Sequence, residues 1–100
     1  MASEKLKGNI SKVSEGMLAA PKRLEKLDIS TAARIVEDGD MLRIRVTAAT
    51  FVAFGNSATM AAPSATTEDA IELPAAGTYL IAITGKYVRA SANPARVEVH

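Results

Sequence analysis

The sequence predicts an all-β domain, a small sandwich or barrel of about seven short strands, carrying an N-terminal arm. Three observations predict it. Residues 31–100 read as short runs in which apolar and polar side chains alternate. Turn residues punctuate those runs at Asp38-Gly39, Gly55-Asn56, Pro74–Gly77, Gly85-Lys86 and Ser91–Pro94. Residues 1–30 lack the alternation and read as an arm of another kind, extended or partly helical.

Within the arm, Leu6, Ile10, Val13 and Met17 recur at i, i+4, i+7 and i+11, the spacing of one helical stripe. Gly8 and Gly16 weaken that stripe by about 1 kcal/mol each relative to alanine. Pro21 ends it, and Pro21–Leu27 reads as a short helix with proline in its first turn. Helices this short are marginal in water. The arm is therefore expected to order against a partner, with Leu6, Ile10, Val13 and Met17 as its anchor; a free tail is the alternative.

Asp38-Gly39 separates two alternating runs, which predicts a tight hairpin with a type I′ turn. That register sets Ile35 opposite Leu42 and Arg34 opposite Arg43. Leu42, Ile44 and Val46 then face the core, while Arg34, Arg43 and Arg45 share the outer face. Like charges facing each other across a sheet are destabilising. An acidic group over this face, from Glu72, Glu98 or another chain, would relieve them; splaying into water is the simpler outcome.

Thr50–Gly55 reads as the next strand, and the Ala-, Ser-, Thr- and Pro-rich stretch 56–67 as a loop. Ala70–Leu73 is a short strand stopped by Pro74. Thr78–Thr84 is apolar on both faces, so it is either central in a sheet or covered by another subunit. Tyr87–Ala90 and Arg96–Val99 complete the set, with Val97 and Val99 pointing inward.

Composition narrows the function. About seventy residues of β domain bury only about 60% of the unfolded surface, which is marginal for an isolated fold. Cysteine is absent and His100 is the single histidine, so neither disulfides nor a histidine–thiolate zinc site can reinforce it. Phe51, Phe54, Tyr79 and Tyr87 are its four aromatic residues. Oligomerisation or docking is the remaining source of stability. The net charge of +1 supplies no strong field for nucleic acid or a membrane surface. No apolar run reaches the roughly 18 residues of a membrane span. The charged start, Met1–Lys7, is followed by no apolar stretch of the kind a secretory leader needs.

No catalytic constellation emerges. Glu37, Asp38 and Asp40 crowd one turn, where aspartate is favoured for its backbone hydrogen bonds. Their spacing does not match an EF-hand loop. Phe54-Gly55-Asn56-Ser57 has one glycine and is no phosphate loop. Arg34, Arg43, Arg45, Arg89 and Arg96 beside Tyr79 and Tyr87 could form an oligonucleotide-binding sheet. The near-zero charge and few aromatics argue against it.

The order of segments carries a resemblance. Thr50–Ser57 holds a Val-Ala-Phe-Gly strand, the loop follows, and Leu73-Pro74-Ala75-Ala76-Gly77 turns into the apolar strand at Leu80–Ile83. Tyr87-Val88-Arg89 and a closing Ala95-Arg96-Val97-Glu98-Val99 complete the series. Across residues 41–99 the chain resembles small structural proteins of tailed bacteriophages. The resemblance implies a non-enzymatic virion component, a head decoration or head–tail accessory protein, assembled in the host cytoplasm. It implies a homo-oligomer docking on capsid or tail subunits, with no cofactor. Arg43 and Arg45 are the expected outer-face contacts with a partner. The alternative is a small β-module that binds glycan or nucleic acid.

Overall fold

The computed structural model describes residues 11–12 and 20–100. Leu6, Ile10, Val13 and Met17, expected to anchor the arm, lie outside the described residues. The described residues form an all-β structure of two antiparallel sheets facing one another. The nine strands are β1 (Ser11–Lys12), β2 (Arg23–Leu24), β3 (Arg34–Ile35), β4 (Met41–Val46), β5 (Thr50–Gly55), β6 (Ile71–Leu73), β7 (Gly77–Ala82), β8 (Tyr87–Ala90) and β9 (Arg96–Val99). One sheet, here the first, has the order β1-β7-β4-β9-β2; the second has the order β3-β8-β5-β6.

Alternation decides which side chains enter the core, because successive residues of a strand point to opposite faces. Leu42, Ile44 and Val46 of β4 are buried, as are Val97 and Val99 of β9 and Ile81 of β7. Val52, Leu73, Val88 and Ala90 meet them from the second sheet. Ile29 and Val36, on the connections around β3, are fully buried and fill the space between the sheets. β7 has β4 on one side and β1 on the other, an interior place in the first sheet. Both Ile81 and its neighbour Leu80 are buried.

Two local expectations give way. The Asp38-Gly39 turn does not close a hairpin. β3 pairs with β8, setting Ile35 opposite Tyr87 and Arg34 opposite Val88, while β4 pairs with β7 and β9 in the other sheet. A type I′ turn needs positive φ at both central residues, and Gly77 is the one described residue with positive φ. Gly39 serves another purpose. A Cβ there would lie 2.3 Å from Val99 Cγ1 and 2.9 Å from the His100 carbonyl oxygen. The backbone passes hard against β9 as it crosses between sheets, and only glycine fits. The second correction concerns residues 21–27, which form no helix. β2 pairs with β9, setting Arg23 opposite Val99 and Leu24 opposite Glu98, so this stretch belongs to the first sheet.

One topological rule lies behind the lost hairpin. From β2 onward every connection crosses from one sheet to the other, except β5 to β6. Neighbours in sequence are therefore facing layers, and pairing partners come from far along the chain. The open side between β2 and β3 is tied by Arg23. Its guanidinium donates to Asp38 Oδ1 at 2.7 Å and Oδ2 at 3.1 Å, and to the Ile35 carbonyl at 2.7 Å. It also pairs with Glu25. The bond to Asp38 is the main reason the Arg23 pKa is raised further, and it holds the Asp38 carboxyl below the usual range.

Candidate functional site on the outer face of β4 and β9

Alternation in β9 puts Arg96, Glu98 and His100 on the outer face and Val97 and Val99 in the core. The β4–β9 register sets Arg43 opposite Glu98 and Arg45 opposite Arg96. On the other flank of β4, Leu80 lies opposite Arg43 and Thr78 opposite Arg45. Arg43 and Arg45 thus share one outer face, as expected from the sequence. Arg34 does not join them; it lies in the second sheet, where Asp28 Oδ1 and Oδ2 accept from it at 3.0 and 2.6 Å. This bond is the chief cause that lowers the Asp28 pKa and raises that of Arg34.

Glu98 is the acid on this face; it pairs with Arg43 and Arg96 and is only 4% exposed. Arg43 Nη1 donates to both of its oxygens, at 3.2 and 3.1 Å. Arg96 Nε pairs with Oε2, and His100 Nε2 lies 3.0 Å from Oε1. An ionised carboxylate only accepts, so this imidazole nitrogen carries its proton toward Glu98. Burial pushes the Glu98 pKa up, but the hydrogen bonds from Arg96, His100 and Arg43 overcome it and bring the pKa down to about 2. The carboxylate is therefore charged throughout the physiological range and is fully engaged.

Balance stops there. Among the described residues, the guanidinium groups of Arg43, Arg45 and Arg96 share this face with the Glu98 carboxylate. Arg45 is exposed and stands beside Arg96, and its side chain has no hydrogen bond or ion pair among the described residues. Arg43, Arg45, Thr78 and Arg96 line a small pocket of about 30 Å³. Thr78 was not among the residues the sequence pointed to, His100 entered only as the single histidine, and Arg96 only as part of a disfavoured oligonucleotide-binding sheet. Period-two spacing of Arg96, Glu98 and His100 around Val97 and Val99 was the signal for the last strand. Thr78 needed the β4–β7 register, which no local pattern encodes.

A second concavity of about 460 Å³ lies beside β3, lined by Arg23, Glu25, Ala33, Arg34, Ile35, Ala58 and Tyr87. Ile35 is 47% exposed there, across from Tyr87. Among the described residues, no group of three or more His, Cys, Asp or Glu gathers to hold a metal ion. Among the described residues there is no helix long and apolar enough to cross a membrane. Comparison with protein-family models, with curated proteins and with solved structures finds no match.

Proposed function

We propose that this chain is a non-enzymatic structural protein that docks on other protein subunits, of the kind that builds the virions of tailed bacteriophages. The observation that carries the docking reading is the outer face of β4 and β9. There Arg45 stands opposite Arg96 with no acidic partner of its own, on a rigid pair of strands. Opposed like charges cost stability in a lone sheet, whereas an acidic surface laid over them turns the same charges into attraction. The order of strand and turn motifs across residues 41–99 favours the virion as the setting. A homo-oligomer is the expected assembly.

Two measurements test it. The native mass of the purified chain is expected to exceed that of one copy, or the chain is expected to co-sediment with phage particles. Deleting residues 1–20 is expected to leave the β spectrum in place and abolish incorporation into particles. A monomer at all concentrations that never sediments with particles overturns the proposal.

The groove beside β3 favours a second reading, a ligand-binding β-module. Tyr87 and Ile35 contribute apolar surface to this shallow, open concavity, with Arg23, Glu25 and Arg34 also along its lining. A sugar ring stacks on such a surface, and single-stranded bases do the same beside cations. Saturable binding of an oligosaccharide or oligonucleotide by a monomeric chain, lost in Tyr87→Ala, supports this alternative.

A further inference from the structure

We infer that Arg45, Arg96 and Thr78 form a receptor for one carboxylate, supplied by an aspartate or glutamate side chain of a partner subunit. The inference deepens the docking reading and rests on it for the source of the carboxylate.

Three features point to this occupant. The first is charge. Arg43 and Arg96 share Glu98, whose two oxygens are already taken up by Arg43, Arg96 and His100. The Arg45 guanidinium has no partner among the described residues, so an incoming anion displaces no bond there. The second is donor geometry. The registers Thr78–Arg45–Arg96 place a hydroxyl and two guanidinium groups side by side across three neighbouring strands. Guanidinium forks bind carboxylates through paired N–H···O bonds, and the threonine hydroxyl adds a third donor. The third is size. The pocket holds about 30 Å³, room for about two water-sized groups. A planar carboxylate fits that space, while a nucleotide or sugar does not.

The strand positions matter as much as the charges. β4 has β7 and β9 as neighbours on its two sides, so the backbone positions that carry the three donors are fixed by ladder hydrogen bonds. Holding them in place beforehand reduces the ordering cost of capturing a partner's side chain.

The test uses the full chain, with sodium acetate as the probe and sodium chloride at matched ionic strength as the reference. Resonances of Arg45, Thr78 and Arg96, including the Arg45 Nε–H, are followed by NMR. Acetate is expected to shift them along a saturable curve that chloride does not reproduce. Arg45→Gln is expected to weaken acetate about tenfold, the loss typical of one charge-assisted pair. Thr78→Val is expected to weaken it several-fold while keeping a β-branched side chain in the strand. An equal response to chloride, an unchanged curve in Arg45→Gln, or tighter binding of sulfate than acetate overturns the carboxylate receptor. Failure of the docking reading looks different. A chain that binds acetate yet stays monomeric and ignores particles retains the pocket and loses the partner. A chain that assembles normally as Arg45→Gln retains the partner and loses the pocket as its receptor.

Discussion

Arg89 on the outer face of the second sheet and Arg45 on that of the first are treated in opposite ways. On the second sheet, Arg89 of β8 donates from Nη1 to the Met60 carbonyl at 2.6 Å and from Nη2 to the Ser30 carbonyl at 3.0 Å. The loop 56–67 comes down over this face: Met60 lies against Gly55, and Ala53 beneath is buried. On the first sheet, Arg45 points from the surface with no partner among the described residues. An arginine committed to backbone carbonyls works as a structural staple, whereas one with its donors open is free to recognise an anion. Residue type alone does not separate these roles; what the neighbouring loop does with the guanidinium separates them.

The largest expected effect tests the boundary between the two kinds of arginine. Glu98→Ala removes the buried acceptor shared by Arg43, Arg96 and His100, and is expected to cost about 3 kcal/mol in urea unfolding, because a buried charge loses its counterpart. Acid probes the same group without mutation. Its folded pKa lies at about 2, below the ordinary 4.5, so its stabilisation is complete above pH 4.5 and is lost as pH falls toward 2. The loss attributable to Glu98 is expected to reach about 3 kcal/mol, and the Glu98→Gln variant should show a correspondingly flatter acid limb in chemical denaturation.

A smaller effect is expected on the opposite face. Arg89→Met deletes two bonds to carbonyl oxygens and is expected to cost about 2 kcal/mol. Hydrogen exchange in residues 56–67 should rise with it, marking release of the loop. The smallest effect is at Arg45. Arg45→Gln is expected to change stability by no more than about 0.5 kcal/mol, with the sign toward stabilisation, since it relieves repulsion with Arg96. If Arg45→Gln proves as costly as Arg89→Met, the contrast between the two faces collapses.

Much of the architecture was legible from period-two alternation. Leu42, Ile44, Val46, Val97 and Val99 were assigned inward from pattern alone and are buried. The shared face of Arg43 and Arg45, with Glu98 as one of the acids that could cover it, followed from the same logic, whereas Arg34 was wrongly set on that face. Pairing was not legible. The Asp38-Gly39 signal looked local, yet Gly39 answers to a steric demand from Val99 and His100, sixty residues away. Alternation says which way a side chain points and is silent on which strand lies beside it. The same silence hid Thr78, because its place beside Arg45 exists only in the β4–β7 register. Residues 23–24 carry too short a ladder for any periodic signal, so a proline-led helix looked the better fit.

The crossing topology also has a kinetic consequence. β4 finds its neighbours at residues 77–82 and 96–99, and β2 pairs with residues 96–99. Such distant closures make for slow folding. Until residue 99 has been synthesised, one flank of β4 and the pairing flank of β2 offer bare backbone donors and acceptors. A nascent chain halted before Arg96 is thus a template for mispairing with its siblings.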